Sequence, residues 1–110
     1  MKNKILIVER NHEKWELLEQ ALQEIVEEGG ELIFTDNLEQ GLVLLDEKRP
    51  QLALLDPVLV GRQRDKWERV GTHLMWIGED IVLEPFEPIR VLEQCRSYLE
   101  KQSGAQTLPM

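Results

Sequence analysis

The sequence predicts an α/β fold built on a parallel sheet, and three observations carry that expectation. Leu52 to Leu55 is an unbroken apolar run closed by Asp56-Pro57, and Lys4 to Val8 is a second run closed by Glu9-Arg10. Short runs without polar alternation mark strands covered on both faces, as in sheets flanked by helices. Between the runs, apolar residues recur at helical spacing and the links are short, so strand and helix alternate.

Taken in order, Lys4–Val8 is the first strand. Asn11 can cap the helix that follows, in which Trp15, Leu18, Leu22, Ile25 and Val26 share a face while Glu13, Glu16, Glu19 and Glu24 meet water. Gly29-Gly30 stops it. Glu31–Thr35 is the second strand. Asp36 or Asn37 caps the next helix, with Gln40 placed as in a capping box and Leu38, Leu42 and Leu45 as its stripe. Pro50 closes that link and the Leu52 strand follows. Arg62 to Arg69 is charged and weakly helical, anchored by Trp67 and Val70. His73–Ile77 reads as a fourth strand, Gly78-Glu79-Asp80 as a turn and Ile81–Leu83 as a fifth strand. Pro88 suits the first turn of a last helix carried by Val91, Leu92, Cys95, Tyr98 and Leu99. Residues 1–101 are expected to form one domain and 102–110 a flexible C-terminal tail.

Composition narrows the function. The chain has 110 residues and a net charge of −8, which argues against nucleic acid, whose phosphates call for clustered Lys and Arg. No run is long enough to cross a bilayer and the N-terminus does not read as a signal peptide, so no membrane role and a cytoplasmic location are expected. Cys95 is the only cysteine, which leaves no internal disulfide and no Cys-based metal site. No glycine-rich phosphate loop follows the first strand. His12 and His73 have no metal-ligand spacing around them, and Trp15 and Trp67 read as packing residues. The carboxyl ends of the strands are where an open α/β sheet gathers its chemistry, which places Asp56 at such an end. The bland alternative is that Asp56 only starts the turn into Pro57.

KILIVER at the first strand, LALLDPVLVG at the third, HLMWIG at the fourth and LEPFEP at the fifth resemble the receiver domain of bacterial two-component response regulators. The resemblance covers nearly the whole chain. It implies a flavodoxin-like (CheY-like) doubly wound sheet of order 2-1-3-4-5. It also implies a phospho-acceptor at Asp56, served in the family by a magnesium-binding acidic pair, a Ser or Thr hydroxyl and a Lys. Here Glu9 matches one acid, Arg10 stands at the second, Gly78 replaces the hydroxyl and Glu84 replaces the Lys.

These departures point to a degenerate pocket. Phosphoryl transfer needs cationic charge on the transferring oxygens. A carboxylate from Glu84 about 4 Å from a phosphoryl oxygen would repel it by about 4 kcal/mol at an effective dielectric near 20. Arg10 is therefore expected to bridge Asp56 with Glu84 or with Glu9 as a fixed ion-pair cluster, with no metal and no cofactor. Magnesium enters only if the site works as it does in the family.

Only six positions separate Gly78 from Glu84, where the family places a whole fourth helix. A parallel crossover needs roughly a dozen residues, so the last two strands are expected to pair antiparallel at the sheet edge or to be domain-swapped. Losing that helix would bare a sheet face, with Leu74, Met75, Trp76 and Ile77 as interface candidates in a homodimer or with a signalling partner. The expectation is an atypical receiver that signals through protein contacts without an Asp phosphorylation cycle, and not an enzyme. The alternatives are a genuine phospho-accepting receiver using Asp56 and, less favoured, a phosphatase on the same fold.

Overall fold

The computed structural model describes residues 3–69 and 71–104, the side chains beyond Leu99 excepted. Four strands form one sheet: β1 (Lys4–Val8), β2 (Glu31–Thr35), β3 (Leu52–Leu55) and β4 (His73–Trp76), in the order β2-β1-β3-β4. All three pairings are parallel. The helices are α1 (His12–Ala21), α2 (Gln23–Glu27), α3 (Leu38–Lys48), α4 (Pro57–Val60) and α5 (Pro88–Gly104), with a 3-10 turn at Arg64–Trp67.

The central strands are buried on both faces because helices cover both. Ile5, Ile7, Leu52 and Leu54 pack with Leu18, Leu22, Ile25, Val91 and Cys95 from α1, α2 and α5. Leu6, Val8, Ala53 and Leu55 face Leu45, Val60 and Trp67 on the other side. Arg96 of α5 ties the first layer together through Glu24 (3.2 Å) and Glu28 (2.8 Å) of α2 and its C-cap. Trp67 is fully buried, and the ring reaches across to α3 where Gly41 leaves room for it: a Cβ there would lie 2.7 Å from Trp67 Cη2. Cys95 is buried among apolar side chains, which pushes its thiol up to about 12 and leaves it unreactive.

The caps follow the local chemistry. Asn11 Oδ1 accepts from Glu13 N at 2.9 Å, and Asn37, not Asp36, caps α3 by accepting from Gln40 N at 2.8 Å. The helix expected as one piece from Trp15 to Val26 breaks at Leu22, which takes φ −102° and ψ 11° between α1 and α2.

Two expectations are corrected. The fifth strand does not form: Ile81 makes a single bridge to Ile77, of parallel sense, so the antiparallel edge pairing is absent. The link is too short for a crossover and instead closes as a tight turn. Trp76 O accepts from the backbone N–H of Glu79, Asp80 and Ile81, and Gly78 takes φ 96° inside it. Ile81 and Leu83 still enter the core, where side-chain burial needs no ladder. The expected absence of a helix between β4 and α5 holds among the described residues. Helix α5 continues through Gly104, past the expected start of the tail, and Val70 and residues 105–110 lie outside the described residues.

Candidate functional site at the carboxyl edge of the sheet

Parallel pairing brings the strand ends together. Val8 lies opposite Leu55 in the register, so Glu9 and Asp56 leave neighbouring strands side by side. Asp56 N donates to Val8 O at 2.8 Å and Glu9 N to Thr35 O at 3.1 Å, which fixes both backbones. Both side chains are buried, Glu9 to 1% and Asp56 to 3% exposure.

Asp56 does two local jobs. Its Oδ1 accepts from Val58 N at 3.0 Å and caps α4, with Pro57 in the first turn. Its Oδ2 accepts from Arg10 Nε at 2.7 Å. Burial pushes the Asp56 carboxyl up, but the Arg10 guanidinium and the Val58 N–H outweigh that and hold it below the ordinary value.

Glu9 behaves in the opposite way. Its Oε2 accepts from Asn11 N at 2.9 Å, whereas its buried Oε1 has no hydrogen-bond partner. Burial, first, and then the nearby Asp56 charge push Glu9 up, against the Asn11 N–H and Lys14, which pull it down. Within this pair of neighbouring carboxyls, Asp56 therefore ionises more readily than Glu9. Trp15 supports the corner by donating its indole N–H to Glu9 O at 2.9 Å. That ring stacks on His12, whose Nε2 sits 2.8 Å from Asp36 Oδ2.

The remaining predicted residues divide. Arg10 meets Asp56, but Glu84 is exposed and no ion pair joins the two among the described residues. Glu84 lies instead on the rim of a cleft of about 390 Å³ with Asn11, Lys14 and Leu17. The long arm of Arg10 reaches across one strand spacing to Asp56 and is then committed there. Gly78 is exposed and a Cβ on it would touch nothing within 4 Å. The roles of Trp15 and the Val58 N–H escaped the sequence reading. Val58 stands just beyond the end of β3, but Trp15 lies inside α1 and no local signal aims its indole at Glu9 O.

The face expected bare at β4 is covered in part, with Leu74 and Trp76 half-buried. Met75 and Ile77 are 2% and 4% exposed, covered from the α5 side. Leu74 and Trp76 pack against the cluster containing Trp67. The Arg64 guanidinium lies 4.2 Å from the Trp76 ring centre and also holds Glu79 at 3.2 Å. The charged segment after α4 thus folds over the face that the missing helix would have left open.

A divalent cation fits this corner poorly. Among the described residues no group of three or more His, Cys, Asp or Glu side chains gathers to hold one. Both Asp56 oxygens already accept hydrogen bonds, and a guanidinium occupies the space a hard cation would need.

Three solved structures superpose over nearly the whole chain. A response regulator from Thermotoga maritima matches with a TM-score of 0.69 at 15% identity, covering 91% of this chain and 99% of that one. A response regulator receiver modulated diguanylate cyclase from Pelobacter carbinolicus matches with a TM-score of 0.71 at 20% identity, over 96% and 99%. The signal receiver domain of a putative Luxo repressor protein from Vibrio parahaemolyticus matches with a TM-score of 0.69 at 13% identity, over 98% and 100%. The fold is that of a response-regulator receiver domain. Compared by sequence, the chain matches no protein-family model and no curated protein. Within the receiver fold, Asp56 and Glu9 occupy the carboxyl ends of the two central strands, and no described helix is long and apolar enough to cross a membrane.

Proposed function

We propose that this chain is an atypical receiver that serves two-component-type signalling in the cytoplasm through protein contacts, without an Asp phosphorylation cycle and without a bound metal. One observation carries the reading: the 2.7 Å contact between Arg10 Nε and Asp56 Oδ2. Each Asp56 oxygen accepts one hydrogen bond, Oδ2 from Arg10 and Oδ1 from Val58 N–H in the α4 cap, and the two hold the carboxylate in a fixed orientation. An incoming phosphoryl group would have to break that pairing beside the buried Glu9 carboxyl. The output is carried by shape and surface charge, and the partner is another signalling protein. A second copy of the chain is less favoured as the partner, because half-buried Leu74 and Trp76 leave little apolar surface there to join two copies. Catalysis is not part of the proposal: Pro57 and Val58 follow Asp56 where a phosphatase would need a second acid.

The test is incubation of the full chain with a small phosphodonor, with and without magnesium, followed by intact mass and peptide mapping. No phosphoryl adduct is expected. A metal-dependent adduct on Asp56 would establish the phospho-accepting alternative.

A further inference from the structure

We propose that the open edge of β4 binds an extended, positively charged segment of a partner protein as an added strand. This rests on the contact-based reading above and names its surface and the chemistry of its partner.

Backbone N–H groups alternate in direction along a strand. His73 N donates to Gln51 O at 2.9 Å and Ile77 N to Leu55 O at 2.8 Å, both toward β3. Leu74 and Trp76 therefore turn their backbone groups outward. Trp76 is provided for: its N–H donates to Asp80 Oδ2 at 2.8 Å and its carbonyl receives the turn. Leu74 is not, since among the described residues neither its N–H nor its carbonyl has a partner. A strand edge of this kind is met by another backbone rather than by a helix face.

Space and charge select the occupant. Beside the edge, on the α5 side, runs a groove of about 570 Å³ with Asp80 at one end and Tyr98 along its wall. A fifth strand would lie there, but Ile81 bonds only at the level of Ile77, above it. The groove carries Glu79, Asp80 and Glu93 against Arg90; Arg64 holds Glu79 at 3.2 Å and Glu87 holds Arg90 at 3.1 Å, which leaves Asp80 and Glu93 without an ion-pair partner among the described residues. A second copy would bring the same acidic rim, on a chain of net charge −8, into contact with itself. A lysine-bearing strand meets complementary charge. Asp80 then acts as a plug, since its carboxylate imitates the missing strand at Trp76 and must swing away when a real one enters.

The experiment uses the full chain and two capped hexapeptides, one alternating Lys and Val and the other Glu and Val. Calorimetry reads affinity and amide hydrogen exchange reads location. The Lys peptide is expected to bind, with slower exchange at Leu74 and weaker binding as salt rises, and the Glu peptide is not. Asp80→Ala frees the Trp76 N–H for the incoming strand and, measured at high salt where the lost charge matters least, should tighten binding roughly two- to tenfold, the worth of one hydrogen bond. Absence of binding to both the natural chain and Asp80→Ala at millimolar peptide overturns the proposal. So does equal binding of both peptides, or protection that falls on α1 instead. Dimerisation of Asp80→Ala with a protected Leu74 amide would make a second copy the occupant and also overturn it. None of these readouts involves Asp56, so a phosphorylated Asp56 and a closed β4 edge remain separate failures.

Discussion

Replacing Glu9 with Gln should make the protein more stable at pH 8, although it removes a charge from the best-formed corner of the fold. Glu9 is 1% exposed, touches the ionised Asp56 carboxyl and leaves Oε1 without a partner. A Gln amide supplies a donor to that neighbour, and a hydrogen bond to an ionised group contributes about 1.5–3 kcal/mol. Against this, a neutral Gln oxygen accepts more weakly from Asn11 N, a loss of about 1 kcal/mol. The net gain is about 1 kcal/mol, or a rise of roughly 4–8 °C in melting temperature for a domain of this size. The sign with pH follows from linkage. A carboxyl whose folded pKa is raised gives the wild type stability below its ordinary value of 4.5, and that stability is lost as pH rises through the folded value. Glu9→Gln and wild type should therefore differ little in mild acid and diverge as pH climbs. Urea unfolding at pH 4 and pH 8 measures both. If Glu9→Gln is equal to or less stable than wild type at pH 8, the view of Glu9 as the frustrated partner of Asp56 is wrong.

Two further outcomes follow from the same geometry. Arg10→Met should raise the Asp56 pKa, read by carboxyl carbon NMR. The stability it removes should be largest near neutrality and be lost as pH falls through the folded Asp56 value, which lies below the ordinary 3.8. Trp67→Ala should cost about 3–5 kcal/mol in urea unfolding because the ring is fully buried. Trp67→Phe should cost less than about 1.5 kcal/mol, since the indole N–H it removes is buried without a partner.

Much of the fold was legible because its signals are short in range. The apolar runs at Lys4–Val8 and Leu52–Leu55 are strands, and Asn11 and Asn37 cap the helices after the first two strands. Ile81–Leu83 misled for the same reason: three apolar residues look like a strand, but a strand also needs a neighbour that the chain can reach. The pocket was legible by halves. Exchanged signs at Arg10 and Glu84 pointed to an ion pair, and Arg10 does hold Asp56, yet Glu84 faces a different cleft. Charge order along the chain does not say which way a loop carries its side chains.

The sequence by itself determined the alternation of strand and helix, the position of Asp56 at a strand end and the loss of the helix after β4. Each of these depends on residues within a few positions of one another. Tertiary structure decided which carboxyl ionises more readily, that Trp67 and Arg64 pack on the face beside Trp76, and that Leu74 is left at an open edge. Those outcomes depend on what lies across the sheet, where burial and distance between remote segments set the energies and no local pattern records them.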